Sequence, residues 1–131
     1  MTQTTELSHE TKERVLAAVK LASTRWQTAF NSGSAEGAAA QYEVDALMVA
    51  KPFGEYRGRD QIQAFWQDLI EKGLSDVTYI EPKITVVSEN AALLASGWKM
   101  NAAHGVITKE LWVLQPDGKA LLREDHFEAL G

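Results

Sequence analysis

Apolar residues recur at helical spacing over much of the first half of the chain. The pattern predicts a helix that begins after Ser8 and ends at 31–33, with an apolar face formed by Val15, Leu16, Val19, Trp26 and Phe30. A short second helix is predicted from Ser34. A third helix is predicted from its N-cap, Asp60, to Lys72-Gly73, with the apolar stripe Ile62, Phe65, Trp66, Leu69 and Ile70.

The second half of the chain changes to the alternation of strands. An extended stretch at 46–50 precedes the third helix, and strands are predicted at 77–88, 91–101, 106–115 and 119–129. Pro82 indicates a bulge or a sheet edge in the first of these four. Helices followed by an antiparallel meander predict an α+β fold with the helices on one face of the sheet. We expect one domain over residues 1–131, with residues 1–7 frayed.

Two turn sequences set the predicted register of the last three strands. Ala103-His104-Gly105 and Pro116-Asp117-Gly118 each fit a three-residue hairpin loop closed by a left-handed glycine. Counted from these loops, Glu110 lies opposite both Trp98 and Glu124. Because side chains alternate across a strand, one face of the sheet then gathers Trp98, Glu110, Trp112, Glu124 and His126.

The same register predicts a partly apolar opposite face. It carries a cross-strand pair of Lys109 and Asp125, together with Ile107, Leu111, Val113, Leu121 and Phe127. This is more apolar surface than a solvated face needs, so we expect a homodimer that packs through the outer face of the sheet.

Composition excludes several classes of function. The 131 residues include 13 basic and 18 acidic side chains, for a net charge of −5, and no basic stripe indicates a nucleic-acid partner. The absence of cysteine excludes disulfides, thiolate metal sites and a cysteine nucleophile. No apolar run reaches the length of about 18 residues that a membrane span needs. No apolar run follows the first residues either, so we expect no signal peptide and a cytoplasmic protein.

The predicted face carries candidate acid/base chemistry. Glu110 and Glu124 as cross-strand neighbours would have Cβ atoms roughly 5 Å apart, and two like charges so close favour a shared proton. Such a pair can act as general acid and base, with His126 as an auxiliary base or donor. The alternative interpretation is a pair at the open end of the sheet that is solvated or balanced by Arg25 or Arg57, with His126 bonded to Thr108 or to a backbone carbonyl. No close-spaced ligand motif supports a metal, and we predict no cofactor.

Large apolar side chains on the helices and strands are candidates to line a pocket for a small hydrophobic ligand. The candidate ligand-binding residues are Trp26, Phe30, Tyr42, Met48, Phe53, Trp98, Met100 and Trp112. Each of them is also compatible with ordinary core packing.

Five segments carry a resemblance to a known superfamily. They are Trp26–Gly33 with Tyr42–Ala46, Pro52–Ile62, Gly105–Trp112 and Asp117–Phe127. Over about residues 10 to 129 the chain resembles the nuclear transport factor 2-like superfamily, most nearly its SnoaL-like and ketosteroid-isomerase-like branch. The resemblance implies a cone-shaped, curved antiparallel sheet with three helices over its concave face, an apolar pocket and a homodimer.

The resemblance carries over only part of the ketosteroid isomerase site. Lys51 stands before Pro52, where that family has its catalytic Asp. Trp26 stands where the family has an oxyanion-binding Tyr, and Glu110 falls near its protonated Asp. Steroid isomerisation by that mechanism is therefore not expected. Two hypotheses remain, an isomerase-, cyclase- or hydrolase-type enzyme that acts on a small hydrophobic molecule, and a non-catalytic ligand-binding or dimeric association module.

Overall fold

Three helices and six strands make up residues 7–131, the part of the chain that the computed structural model describes. The helices are α1 (His9–Asn31), α2 (Ala35–Ala39) and α3 (Arg59–Glu71). The strands are β1 (Tyr42–Lys51), β2 (Gly54–Arg57), β3 (Thr78–Ser88), β4 (Ala91–Lys99), β5 (His104–Leu114) and β6 (Ala120–Ala129). Of residues 1–7, which were predicted to be frayed, residues 1–6 lie outside the described part.

The three predicted helices are confirmed, with one correction at a terminus. Ser8 Oγ accepts a 3.1 Å hydrogen bond from the Thr11 amide, and Ser34 Oγ accepts a 2.9 Å bond from the Gly37 amide, so both serines cap their helices. The predicted N-cap Asp60 is wrong. Gly58 precedes α3 with φ +88°, and Asp60 lies within the first turn, where its charge complements the helix dipole.

The α+β prediction is confirmed, and the sheet is curved and not closed. Its strand order is β2-β1-β6-β5-β4-β3. All neighbours are antiparallel except β1 and β6, which run parallel. The predicted irregularity at Pro82 is confirmed, because the register of edge strand β3 shifts between Ile80 and Lys83. Strand β2 was not predicted.

The hydrophobic core lies between the helices and the concave face of the sheet. Trp26 of α1 stacks on Phe30 with ring centroids 5.5 Å apart, and Trp66 of α3 meets Trp26 edge-on at 5.0 Å. Trp66 also stacks on Phe127 of β6 at 5.6 Å. Aromatic side chains therefore hold two helices against the sheet.

One of the two predicted hairpin loops is confirmed. Gln115 and Lys119 face each other across Pro116-Asp117-Gly118, the Gln115 amide donates to the Lys119 carbonyl at 2.8 Å, and Gly118 has φ +87°. The predicted loop at 103–105 is wrong. Lys99 pairs with His104, so the loop is formed by residues 100–103 instead.

Gly105 lies within β5, at a position where the Trp98 ring occupies the space that a side chain would need. A Cβ atom at Gly105 would lie 2.6 Å from a carbon of the Trp98 ring, and it would also overlap the Glu128 carbonyl oxygen. Trp98 and Gly105 are directly paired across β4 and β5. This glycine is therefore required by close packing and does not form a turn.

Two bulges change the predicted register between β5 and β6. Trp112 pairs with Leu122 as predicted, but Leu111 pairs with Glu124, which leaves Arg123 as an extra residue. Glu110 then pairs with Asp125. On the other side, Lys109 pairs with His126 and Ile107 with Phe127, which leaves Thr108 as an extra residue in β5.

The bulges reverse the faces on which several predicted residues lie. Asp125 faces the core in place of Glu124, so the predicted pair of Glu110 and Glu124 is wrong. The predicted pairs of Thr108 with His126 and of Lys109 with Asp125 are wrong for the same reason. Ile107 and Phe127 belong to the core cluster and not to the outer face.

The helices of residues 7–131 include none that is long and apolar enough to cross a membrane.

Candidate functional site

An apolar cavity of about 70 Å³ lies between the helices and the concave face of the sheet. Two carboxyl groups, Glu110 and Asp125, are among its lining residues. The other lining residues are Trp26, Phe53, Phe65, Trp66, Leu69, Leu74, Val77, Tyr79, Trp98, Met100, Ala103, Ile107, Phe127 and Ala129. Phe53 is 55% exposed, so the cavity reaches the surface beside this ring.

Glu110 is held in the cavity wall by two aromatic donors. Its side chain projects from β5 and is only 3% exposed. Trp112 Nε1 donates to Oε1 at 2.8 Å, and the Tyr79 hydroxyl donates to Oε2 at 3.2 Å. Both oxygens of this carboxyl group therefore have a partner.

Asp125 is held by one aromatic donor and keeps one oxygen unpaired. It projects from β6 beside Glu110 and is also 3% exposed. The Tyr42 hydroxyl donates to Oδ2 at 2.6 Å, and Trp66 Nε1 donates to the Tyr42 hydroxyl at 3.3 Å. Asp125 Oδ1 has no hydrogen-bond partner among the described residues, although it is buried.

Burial and mutual repulsion separate the pKa values of the two carboxyl groups. Burial, and then the charge of Asp125, raise the pKa of Glu110 to about 8, against smaller opposing effects of its two hydrogen bonds. Burial also raises the pKa of Asp125, to about 6, and the Tyr42 hydrogen bond opposes this rise. Near neutral pH the pair therefore holds about one proton, mainly on Glu110.

Tyr42 and Tyr79 stay protonated and act as donors. Burial, and then the neighbouring carboxylate, raise the pKa of each phenol well above its ordinary value. That carboxylate is Asp125 for Tyr42 and Glu110 for Tyr79. The hydroxyl groups consequently orient the two carboxyl groups without titrating themselves.

Two further residues that line the cavity have a buried polar atom without a partner within residues 7–131. These atoms are the indole nitrogens of Trp26 and Trp98. A buried donor without an acceptor costs roughly 1–3 kcal/mol. Three unpaired polar atoms, including Asp125 Oδ1, thus belong to residues that line one cavity.

Glu124 and His126, predicted to join Glu110 as catalytic residues, lie outside this cavity. Glu124 Oε1 is 3.0 Å from both Lys109 Nζ and His126 Nε2 on the outer face. His126, and then Lys109, lower the pKa of Glu124, which marks an ordinary surface ion pair. Of the three predicted catalytic residues, only Glu110 lines the cavity.

Four of the eight predicted ligand-binding residues line the cavity, namely Trp26, Phe53, Trp98 and Met100. The other four are buried behind the wall. Phe30 stacks on Trp26, Met48 packs in the core beside the Tyr42 hydroxyl, and Trp112 and Tyr42 donate to the two carboxyl groups.

Sequence reasoning missed Asp125, although the chain contains a signal for it. Leu122 and Phe127 are both apolar core residues five positions apart, and so are Ile107 and Trp112 on the neighbouring strand. In a regular strand an odd spacing puts two residues on opposite faces. Both members of each pair reach the core only if each strand contains one extra residue.

The geometry is suited to proton transfer in an apolar pocket. A carboxylate with a free oxygen lies beside a carboxylic acid that keeps its proton at neutral pH, and aromatic rings surround both. A base and an acid with separated pKa values are the parts that general acid/base catalysis requires.

Comparison with known proteins agrees with this architecture. The sequence profile of the SnoaL-like domain matches residues 23–119. No curated protein matches the chain.

Solved structures share the fold at low sequence identity. A ketosteroid isomerase-like protein from Erwinia carotovora atroseptica superimposes with a TM-score of 0.75 and 18% identity, covering 88% of this chain and 96% of that one. A cystatin-like protein of unknown function from Nostoc punctiforme gives 0.77 and 14%, covering 95% of each chain. A proposed scytalone dehydratase from Novosphingobium aromaticivorans gives 0.74 and 16%, covering 95% of this chain and 89% of that one.

Proposed function

Because the chain belongs to the SnoaL-like domain family, we propose that its cavity is the active site of a small acid/base enzyme of the isomerase, cyclase, dehydratase or hydrolase type. The substrate is a small, largely apolar molecule. Asp125 is the general base, and Glu110 is the general acid. This assignment keeps Glu110 from the sequence prediction and replaces Glu124 and His126 by Asp125.

The observation that carries the proposal is that two adjacent buried carboxyl groups differ in hydrogen bonding and in pKa. Asp125 Oδ1 is unpaired and belongs to a residue of the cavity wall, as a base that awaits a proton requires. Glu110 retains a proton to about pH 8 because of its burial and of the neighbouring charge. A purely structural pair of acids would cost stability without serving a ligand.

In the proposed reaction the two groups act in concert. Asp125 Oδ1 removes a proton from a carbon next to a carbonyl group, while Glu110 donates its proton or a hydrogen bond to the oxygen on which charge develops. The proton then returns at another carbon, or a leaving group departs. Tyr42 and Tyr79 hold the two acids in position throughout.

Proton exchange in heavy water tests the proposal without knowledge of the natural substrate. The protein is incubated in D2O with a panel of small ketones, and loss of the α-proton signals is followed by NMR. We expect exchange above background that Asp125→Asn lowers at least about a hundredfold. Glu124→Gln, which changes a carboxylate outside the cavity, is the matched control and should keep the activity.

A non-catalytic ligand-binding module is the second candidate function. The small cavity volume and the several core aromatics favour it. Binding of a ketone without any Asp125-dependent exchange would support it and contradict the enzyme proposal.

We further propose a homodimer through the outer face of the sheet. Of the apolar residues predicted there, Ile107 and Phe127 are in the core and Val113 is also buried, but Leu111 and Leu121 lie outside the core cluster and are half-buried. Leu93 and Leu47 extend the same row across the sheet. Leu93 pairs with Leu111, and Leu111 and Leu47 pair with Glu124 from its two sides. The predicted cytoplasmic location and the absence of a nucleic-acid partner stay predictions.

A further inference from the structure

Three residues that line the cavity each carry a buried polar atom without a hydrogen-bond partner within residues 7–131. These atoms are the indole N–H donors of Trp26 and Trp98 and the carboxylate acceptor Asp125 Oδ1. The other side-chain polar groups of the lining residues are paired, since Tyr79 donates to Glu110, and both Trp66 Nε1 and Asp125 Oδ2 bond to the Tyr42 hydroxyl. The proton that Glu110 retains near neutral pH is a further donor. A ligand that completes this set offers acceptors to the indoles and a hydrogen to Asp125.

The charge of the wall restricts the ligand further. Among residues 7–131, no lysine, arginine or histidine lines the cavity, while two carboxyl groups do. The pair retains about one negative charge near neutral pH. An organic anion would place a like charge beside Asp125 in an apolar setting and is therefore repelled.

The indole donors argue against a cation as the ligand. An ammonium group has donors only, so it would satisfy Asp125 and leave both indole N–H groups unpaired. A hydroxyl group next to a carbonyl oxygen offers a donor and acceptors within one small uncharged molecule. The cavity volume of about 70 Å³ is below the 150 Å³ of an engineered cavity that binds benzene, which restricts the fully enclosed part of the ligand to a few heavy atoms.

We propose that this cavity selects a small uncharged hydroxycarbonyl group, whose hydroxyl donates to Asp125 and whose oxygens accept from Trp26 and Trp98. This inference rests on the proposed function, because it assigns the ligand class of the same site. Larger apolar parts of a ligand extend through the mouth beside Phe53, whose ring is exposed.

The test compares four small aliphatic probes of similar size. 1-Hydroxy-2-butanone has both groups, 3-pentanone lacks the hydroxyl, 2-methyl-1-butanol lacks the carbonyl, and 2-oxobutanoate is an anion. We expect 1-hydroxy-2-butanone to bind at least about tenfold more tightly than either uncharged analogue, because each lost hydrogen bond leaves a buried polar atom unpaired. 2-Oxobutanoate should not saturate the site.

The four tryptophans supply the readout. In a proton–nitrogen NMR spectrum, the indole N–H signals of Trp26 and Trp98 should move downfield as 1-hydroxy-2-butanone binds, since they gain an acceptor. The indole signal of Trp112 is the internal control, because it already donates to Glu110 and does not line the cavity. Aliphatic probes have no ring current that would mimic these shifts, and Trp26→Phe and Trp98→Phe assign the signals.

Each outcome decides the inference separately from the enzyme proposal. Equal binding of 1-hydroxy-2-butanone and 3-pentanone, saturable binding of 2-oxobutanoate, or no shift with any probe would overturn the hydroxycarbonyl assignment. Asp125-dependent exchange of ketones in D2O would still support the enzyme in those cases. Selective binding of 1-hydroxy-2-butanone without exchange would support the ligand class and contradict catalysis.

Discussion

The Tyr42 hydroxyl donates a 2.6 Å hydrogen bond to Asp125 Oδ2, and this bond joins the first strand to the last. Trp66 Nε1 donates to the same hydroxyl, so the phenolic hydrogen is directed at the carboxylate. Tyr42 is fully buried and does not line the cavity. It is therefore a positioning residue, which leaves the other oxygen of Asp125 free for a ligand.

Replacement of Tyr42 by Phe should raise the pKa of Asp125 further, because the hydrogen bond that favours the charged form is lost. It should also lower the free energy of unfolding by about 1–3 kcal/mol, since Trp66 Nε1 loses its acceptor. Carboxyl-carbon NMR titration and urea unfolding measure the two effects. Tyr79→Phe is the matched control, which should act on Glu110 instead. An unchanged Asp125 titration in Tyr42→Phe would show that the hydroxyl has no such role.

The raised pKa of Glu110 predicts that stability falls with rising pH. In the folded chain Glu110 keeps its proton up to about pH 8, whereas in the unfolded chain it loses it near its ordinary value of 4.5. The folded state thus binds more protons between these values, and the free energy of unfolding decreases through this window. Asp125 contributes with the same sign up to about pH 6.

Glu110→Gln should remove most of this dependence and leave the chain folded. Between pH 4.5 and 8 the free energy of unfolding should fall by about 2–4 kcal/mol less in the variant than in the wild type. Urea unfolding at each pH measures this difference. Glu124→Gln is the control, since the pKa of Glu124 is lowered and its titration lies below the window. A variant Glu110→Gln that is unfolded at every pH would instead identify Glu110 as a purely structural residue.

Gly105→Ala should destabilise the protein because the Trp98 ring occupies the site of the new methyl group. We expect a loss of about 1–3 kcal/mol and a disturbed indole signal of Trp98. Gly97→Ala, on the adjacent strand, is the comparison, because its nearest neighbour, Ile80 Cβ, would lie at 3.4 Å. Equal stability of the two variants in thermal unfolding would contradict this account of Gly105.

The proposed dimer predicts that a charge on the outer face of the sheet separates the subunits. Leu111→Arg should convert a dimer into a monomer at micromolar concentration, as measured by light scattering, because a buried unpaired charge opposes association. Leu21→Arg places the same charge at an exposed apolar residue of α1 and should leave the dimer intact. A monomeric wild-type protein under these conditions would exclude the interface.

Much of the fold follows from local sequence patterns. The apolar stripes of α1 and α3, the capping serines Ser8 and Ser34 and the turn at Gly118 each depend on residues close together in the chain. Their physical causes are helical periodicity, side-chain capping and a left-handed backbone, which act within a few residues. The α+β architecture follows from their order.

The candidate site depended on packing between distant segments. The sequence pointed to Glu110, but a regular register placed Glu124 and His126 beside it and turned Asp125 outwards. Only the tertiary structure decided this, because burying Ile107, Trp112, Leu122 and Phe127 together requires an extra residue in each of two strands. Since side chains alternate at every residue, one bulge in β6 exchanges a surface carboxylate for a buried one, and with it the chemistry of the cavity.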